Sequence, residues 1–164
     1  MKYLNTYEEK KILIDNDNDT MVEYYDNGNI KSIKYYKDMG NTRNSLRWVL
    51  HREDGAAKIE YYENGNIDFE GYYINGKEHR DIGASSIYYK KDGSISYKNY
   101  CKNGKLHRED GAAHIFYQND DIISKYYIND IEYTFQDFVK KLKDIGSPHY
   151  EHQKLLLDIE EFNL

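Results

Sequence analysis

The chain has 164 residues, enough for one domain with a modest core or for a short array of repeats. Its net charge of −6, with no Lys/Arg run longer than two, argues against nucleic acid and anionic lipid as partners. The single cysteine, Cys101, excludes an internal disulfide, and no apolar run approaches the ~18 residues of a membrane span.

Residues 1–20 are predicted to form an N-terminal segment with an edge strand near Ile12–Ile14. The opening MKYLNTYEEKK lacks the apolar centre of a secretion signal, which together with the lone cysteine favours the cytoplasm. An open edge strand offers a route to homo-oligomers. The charged runs Glu8–Lys11 and Asp15–Asp19 favour instead an edge that is blunted against pairing.

Residues 21–132 carry an internal repeat. Three His-Arg pairs, at positions 51–52, 79–80 and 107–108, are spaced by 28 residues. An earlier copy, EYYDNGNIKSIKYY, matches EYYENGNIDFEGYY at an offset of 37, so the additional residues predict an extended loop or an added hairpin at about 37–49. The last copy, FYQNDDIISKYYIND, keeps the tyrosine pair and lacks both turn glycines.

Each unit is predicted to contain two strands. Ile59–Tyr62 is β-branched and aromatic, and Ile67–Tyr73 alternates between an apolar and a more polar face. Asn64-Gly65 predicts a two-residue hairpin turn between them, because both residue types tolerate positive φ, and Asn75-Gly76 predicts a second turn. We therefore predict a mainly β fold, an antiparallel meander of roughly eight strands in which each strand lies beside its sequence neighbour.

Residues 133–164 are predicted to form a helical cap on the end of the sheet. Thr134 and Asp137 fit a capping box, and Gly146 ends the first helix. Its apolar side chains recur at helical spacing: Phe135, Phe138, Val139, Leu142 and Ile145. Ser147-Pro148 predicts the start of a second helix, with an apolar stripe of Leu155, Leu156, Ile159 and Phe162.

The motif LHREDGAA, at 50–57 and again at 106–113, has the residue types of an active site and also those of a charged turn. Equivalent histidines two strands apart are separated by roughly 9–10 Å, whereas zinc ligands lie within ~4 Å of each other, so we expect no metal. Asp54 and Asp110 are two repeats apart, near ~20 Å, beyond the about 5–9.5 Å of glycosidase pairs. No Gly-x-Ser-x-Gly, Walker or His-Glu-x-x-His motif is present, so no catalytic residue and no cofactor is predicted.

A turn explains the motif better. Asp folds its side chain onto nearby backbone N–H groups, Gly accepts positive φ, and His and Arg can donate to exposed carbonyls. The middle copy, EHRDIGAS, keeps Gly83 and has Ile82 in place of the aspartate. The predicted structural turn residues are His51, Arg52, Asp54 and Gly55, then His79, Arg80 and Gly83, then His107, Arg108, Asp110 and Gly111.

Tyrosine is the most unusual component, with 19 residues against one proline. Repeated Tyr-Tyr pairs place one ring on each face of a strand, where large side chains cover a thin sheet. The alternative is an aromatic binding surface for peptide or sugar, with Tyr25, Tyr36, Tyr62, Tyr73 and Tyr89 as candidates. Cys101 takes the place of Tyr73 in its repeat, which favours a buried packing thiol over a nucleophile.

The sequence YYENGNI…GYYINGK…HREDGAA resembles the MORN-variant repeats, and also the LHREDGPA…WYINGK arrays of large DNA viruses and bacteriophages. The resemblance covers about residues 21–132, with Ala56 and Ala112 where those arrays favour proline. It implies an antiparallel β array that acts as a scaffold or binding platform. Richness in Asn, Lys, Ile and Tyr is typical of an AT-rich genome and indicates a viral origin, with action in the host cytoplasm.

The leading hypothesis is a non-enzymatic repeat scaffold that binds another protein. An enzyme or carbohydrate-binding protein that uses the Tyr-rich face is the first alternative. A membrane-surface module, implied by the MORN resemblance, is the second, and the net charge argues against it. Self-association through the N-terminal edge strand is the third.

Overall fold

The main structural element is one large antiparallel β-sheet followed by two α-helices. The computed structural model describes residues 3–7, 10–15, 19–40, 48–118 and 121–162, and the side chains of 19–40, 48–118 and 121–161. The strands are β1 (Tyr3–Tyr7), β2 (Lys10–Asp15), β3 (Thr20–Tyr24), β4 (Ile30–Asp38), β5 (Trp48–Leu50), β6 (Lys58–Tyr61), β7 (Ile67–Gly71), β8 (Tyr73–Ile74), β9 (Lys77–Glu78), β10 (Ser86–Tyr89), β11 (Ile95–Asn99), β12 (Cys101–Lys102), β13 (Lys105–Leu106), β14 (His114–Gln118), β15 (Asp121–Ile128) and β16 (Ile131–Tyr133). The helices are α1 (Phe135–Asp144) and α2 (Tyr150–Phe162).

The predicted mainly β meander with two C-terminal helices is confirmed. The main sheet runs β1-β2-β3-β4-β6-β7-β10-β11-β14-β15-β16, with β5 beside β4. The prediction that each strand lies beside its sequence neighbour is wrong at three places, because β5 lies off the main order, so that β4 also pairs with β6, and because β8–β9 and β12–β13 form separate two-stranded ribbons. Strand β7 therefore pairs with β10, and β11 pairs with β14.

The N-terminal edge differs from the prediction. Ile12 lies in β2 and is opposite both Asn5 of β1 and Glu23 of β3, so both sides of its strand are paired. The predicted edge at Ile12–Ile14 is wrong, and β1 is the terminal strand of the sheet. Residues 8–9 and 16–18 of the two charged runs lie outside the described residues.

The insertion predicted at about 37–49 is flanked by paired strands. The end of β4, at Tyr36–Asp38, pairs antiparallel with β5. Residues 41–47 lie outside the described part of the chain. The pairing places Leu50, the first residue of the first LHREDGAA motif, opposite Tyr36.

The two kinds of Asn-Gly turn differ. Asn75-Gly76 is a two-residue turn with φ of +50° and +77°, as predicted, and it joins β8 to β9. Asn64-Gly65 is part of a wider loop, because the hairpin closes through a 2.8 Å bond from the Tyr62 N–H to the Asn66 carbonyl. Only Gly65 there has positive φ, and Asn64 Oδ1 accepts the Asn66 N–H at 3.1 Å, so the predicted two-residue turn is wrong.

The described part of the sheet buries few large side chains. Its fully buried positions carry small residues: Ser32, Ala57, Ser85, Ser86 and Ala113. Larger rings contact each other across strands, with centroids 4.6 Å apart for Phe69 and Tyr88 and 4.0 Å apart for Tyr88 and Tyr97. Backbone pairing and this aromatic row therefore hold the sheet together more than a thick core does.

The main apolar cluster lies at the C-terminal end. Thr134 caps α1, where its Oγ1 accepts the Asp137 N–H at 3.2 Å, as predicted. Phe138, Val139 and Leu142 are buried against Ile128, whereas Ile145 is 42% exposed and does not extend the buried stripe. Ile145 is instead the C-cap of α1, where the helix has ended.

Helix α2 turns a different face inward from the one predicted. Leu155, Leu156 and Ile159 are 57%, 40% and 48% exposed, so the predicted buried stripe is wrong, and the Phe162 side chain lies outside the described residues. Gln153 is buried instead, because its Nε2 donates to the Asp110 carbonyl at 3.1 Å. Contact with the turn at Asp110, just before β14, places this face of the helix inward.

Candidate functional site

The three His-Arg motifs form three corners, each of which leads from a ribbon or short strand back to the main sheet. We name them the first (residues 50–57), second (78–85) and third (106–113) corners. In the first corner, the Arg52 guanidinium lies 4.1 Å from the Tyr35 ring centroid and its Nε donates to Asp54 at 2.9 Å. In the third, Arg108 lies 3.8 Å from the Tyr100 ring, and its Nε donates to Asp110 at 2.8 Å. Both arginines thus stack on a ring while holding a carboxylate.

Each arginine also holds the backbone of its own turn. Nη1 of Arg108 donates to the Ala112 carbonyl at 3.1 Å, and Nη1 of Arg80 to the Ala84 carbonyl at 3.1 Å. The corresponding atom of Arg52 is 3.5 Å from the Ala56 carbonyl. These carbonyls belong to buried alanines, so the arginines satisfy backbone groups that water reaches poorly.

The histidines tie each corner to the turn of the following ribbon. His51 Nδ1 accepts the Asn75 N–H at 3.1 Å, and His79 Nδ1 accepts the Asn103 N–H at 3.2 Å. An accepting Nδ1 places the imidazole proton on Nε2, which lies 3.5 Å from Glu53 in the first corner and 3.3 Å from Asp81 in the second. Both nitrogens of these rings are therefore occupied by contacts that position the backbone.

The corner aspartates are held in the charged form. A hydrogen bond from Arg52 lowers the pKa of Asp54, and one from Arg108 lowers the pKa of Asp110. A general acid at neutral pH needs the opposite shift. These two carboxylates therefore act as partners of the arginines.

The second corner differs from the other two. Arg80 stacks 3.8 Å from the Tyr72 ring centroid, but Ile82 occupies the position of the aspartate and is 87% exposed. Within residues 19–40, 48–118 and 121–161, no carboxylate forms an ion pair with Arg80.

Two open clefts flank this second corner. One, of about 510 Å³, lies between the second and third corners and is also lined by His149, just before α2. The other, of about 460 Å³, lies between the first and second corners. His79, Arg80, Asp81 and Ile82 line both clefts.

The five candidate tyrosines do not form one surface. Tyr25 and Tyr62 donate their hydroxyls to backbone carbonyls of the next hairpin, those of Tyr61 and Tyr89, at 2.6 and 2.7 Å. Tyr89 in turn donates to Glu70 Oε2 at 2.7 Å. The remaining two lie elsewhere, Tyr73 beside the Phe69 ring and Tyr36 half-buried near Glu23. Since Phe69 and Glu70 are consecutive in β7, Tyr73 and Tyr89 lie on opposite faces.

Cys101 is buried, as predicted. Burial, reinforced by the nearby Glu78 carboxylate, raises the pKa of its thiol to about 12, so the reactive thiolate is suppressed. Its backbone N–H donates to the buried Ser85 Oγ at 2.7 Å.

Sequence reasoning missed the rings beneath the three arginines: Tyr35, Tyr72 and Tyr100. One signal was available, because Tyr72 and Tyr100 are separated by the same 28 residues as the His-Arg pairs. The ribbons β8–β9 and β12–β13 place Tyr72 and Tyr100 beneath their arginines, and the β4–β5 pairing places Tyr35.

Among the described residues, no group of three or more His, Cys, Asp or Glu side chains is arranged to hold an ion. Neither described helix has the length and apolar character needed to cross a lipid bilayer. The chain was compared with protein-family models, curated proteins and solved structures, and none matches it.

Replacing Arg108 by lysine is expected to lower the free energy of unfolding by about 1–2 kcal/mol. Lysine keeps the charge, but it cannot stack on Tyr100 while bonding both Asp110 and the Ala112 carbonyl. Urea unfolding followed by circular dichroism measures the loss. The matched variant Arg80→Lys lacks a carboxylate partner to lose and should cost less, so equal losses at both corners would contradict this assignment.

Proposed function

We propose that this chain is a non-enzymatic β-hairpin repeat scaffold, with a 28-residue repeat of the MORN-variant kind, that binds another protein. The observation that carries the proposal is the use of the motif side chains. The arginines, the histidines of the first two corners and both motif aspartates are engaged in contacts that form the corners. Groups that are committed to building the fold are not free to act on a substrate.

The remaining accessible features favour a protein partner. Ile82, 87% exposed, stands between two clefts in which charged side chains of both signs surround it. An apolar anchor with a polar rim is the arrangement found at protein–protein interfaces. The acidic net charge makes nucleic acid and anionic membranes poor alternatives. The residue composition supports a virus-encoded protein that acts in the host cytoplasm.

The test is capture of a binding protein by the purified full chain. The immobilised chain is exposed to increasing amounts of a eukaryotic cell lysate, and bound proteins are quantified by mass spectrometry. We expect one protein to be retained saturably and to be displaced by the free chain, while heat-denatured chain retains none of it. Absence of any saturable and displaceable protein would contradict the proposal.

A carbohydrate-binding or hydrolytic function ranks second. The larger cleft brings together Asp81 and Glu109 from different corners, which favours it. Against it, Glu109 is partly buried, but hydrogen bonds from Ser147 and His107 outweigh burial and lower its pKa, contrary to the needs of a general acid. Binding of the chain to a glycan array that is lost in Asp81→Asn and Glu109→Gln, with protein capture absent, would favour this function instead.

A further inference from the structure

In the second corner, the Nε edge of the arginine has no carboxylate partner among the described residues. In the first and third corners the Nε edge of the guanidinium holds a carboxylate, from Asp54 at 2.9 Å and from Asp110 at 2.8 Å. In the second corner the same edge of Arg80 has no carboxylate partner among the described residues, because Ile82 replaces the aspartate. The Arg80 side chain is nevertheless held in place, by the Tyr72 ring and the Ala84 carbonyl.

The carboxylates that share the larger cleft with Arg80 are each in contact with another side chain. Asp81 lies 3.3 Å from His79, and 89% of its side chain is exposed. Across the larger cleft, Asp110 is committed to Arg108 and Glu109 to His107. Lys102 also lines that cleft, and no described carboxylate forms an ion pair with it. Three basic and three acidic side chains line this cleft, so its attraction for a carboxylate comes from the unpaired Nε edge of Arg80 and not from an excess of positive charge.

We propose that the second corner binds an acidic segment of the partner protein, with a carboxylate on Arg80 and a neighbouring apolar side chain on Ile82. This inference rests on the proposed function and specifies the chemistry of the partner. The molecule itself shows what the free edge accepts, since the equivalent edges of Arg52 and Arg108 each hold a carboxylate. A pre-positioned guanidinium fork loses little conformational freedom when it pairs, and the exposed Ile82 supplies apolar contact area.

One substitution gives Arg80 a carboxylate partner within the chain and so blocks the proposed site. Ile82→Asp supplies the carboxylate that the other two corners already have, so Arg80 is satisfied internally and the apolar anchor is removed. This change does not disturb the buried contacts, because the Ile82 side chain is exposed. Ile131→Asp is the matched control, with the same change in charge and shape at another exposed isoleucine, 59% exposed.

The experiment is a display selection of random linear peptides on the immobilised full chain. We expect enriched peptides to carry Asp or Glu next to Leu, Ile or Phe. A labelled synthetic copy of the most enriched peptide is then titrated by fluorescence anisotropy. Ile82→Asp should weaken binding by about tenfold or more, as expected for the loss of one charge-assisted pair, and Ile131→Asp should bind like wild type.

A converse variant tests the same chemistry at another corner. Asp54→Ile releases Arg52 and places an isoleucine in the position equivalent to Ile82. It should bind a second equivalent of the same peptide. Chemical denaturation of every variant shows whether the fold is intact before the affinities are compared.

Several outcomes would overturn the inference while leaving the proposed function standing. Enriched peptides without acidic residues, or an Ile82→Asp variant that binds peptide and captured protein as tightly as wild type, would place the binding site elsewhere. Self-association of the wild-type chain in sedimentation experiments that is lost in Ile82→Asp would identify the occupant as a second copy. Failure of the wild-type chain to retain any protein saturably would instead reject the function itself.

Discussion

Removal of residues 135–164 is expected to leave the chain unfolded or aggregated. Helix α1 buries Phe138 and Leu142 completely, against Ile128 and the Tyr126 ring at the end of the sheet. Full burial of such side chains is worth roughly 1.5–3 kcal/mol each, and no comparable apolar cluster is found in the described part of the sheet. The deletion would also uncover the last strands, whose apolar surface and free edge favour association. Size-exclusion chromatography and thermal circular dichroism measure the outcome.

A single substitution in α1 measures how much one buried side chain contributes to the stability of the protein. Phe138→Ala is expected to lower the free energy of unfolding by about 3–5 kcal/mol, because it opens a cavity at a site with no exposure. Leu155→Ala on α2 is the matched control and should cost less than about 1 kcal/mol, since that side chain is 57% exposed. A truncated chain that stays monomeric and keeps its melting temperature would show that the helices do not stabilise the sheet.

Gly71→Ala is expected to destabilise the protein by about 1–3 kcal/mol although it adds only one methyl group. A Cβ atom at this position would lie 2.6 Å from the Phe69 ring and 2.7 Å from the Tyr73 ring. Both contacts are far inside the van der Waals limit, and Phe69 is buried, so its ring cannot move aside without repacking the aromatic row. Urea unfolding of the purified variant measures the loss.

The clash has a specific rescue. Phe69→Leu shortens the side chain that the new methyl group would meet, so the double variant Phe69→Leu with Gly71→Ala should be more stable than the sum of the two single losses predicts. Simple additivity of the two losses, or a Gly71→Ala variant as stable as wild type, would show that the close approach of Phe69 does not require a glycine.

Local patterns in the sequence predicted the features that depend on a few consecutive residues. Asn75-Gly76 forms the expected two-residue turn, since both residues adopt positive φ at little cost. Thr134 caps α1 through a bond to a residue three positions later. The segment FYQNDDIISKYYIND lacks turn glycines, yet Asn129 and Asp130 also adopt positive φ, of +54° and +68°, because these side chains tolerate that region.

Features that depend on distant partners were predicted poorly. The sequence predicts Ile12–Ile14 as an edge strand, because no local pattern shows that β1 pairs with the side of this strand that faces away from β3. Leu155, Leu156 and Ile159 form an apolar stripe in the sequence, but the position of α2 against Asp110 buries Gln153 instead. The five tyrosines have similar neighbours in the sequence, and strand pairing distributes them over different surfaces.

The sequence by itself determined that the chain is an antiparallel meander ending in helices, and that Asp54 and Asp110 stand in motifs where the middle copy has Ile82. Only the tertiary structure showed that the aspartates bind Arg52 and Arg108, and that Arg80 has no such partner among the described residues. Tyr72 and Tyr100 lie 8 positions before the arginines that they support, and the short ribbons bring them together. Tyr35 lies 17 positions before Arg52, and the turn residues that meet His51 and His79 lie 24 positions later in the chain. Such contacts depend on the register of strands whose pairing is long-range, whereas turns and caps depend on backbone preferences of neighbouring residues.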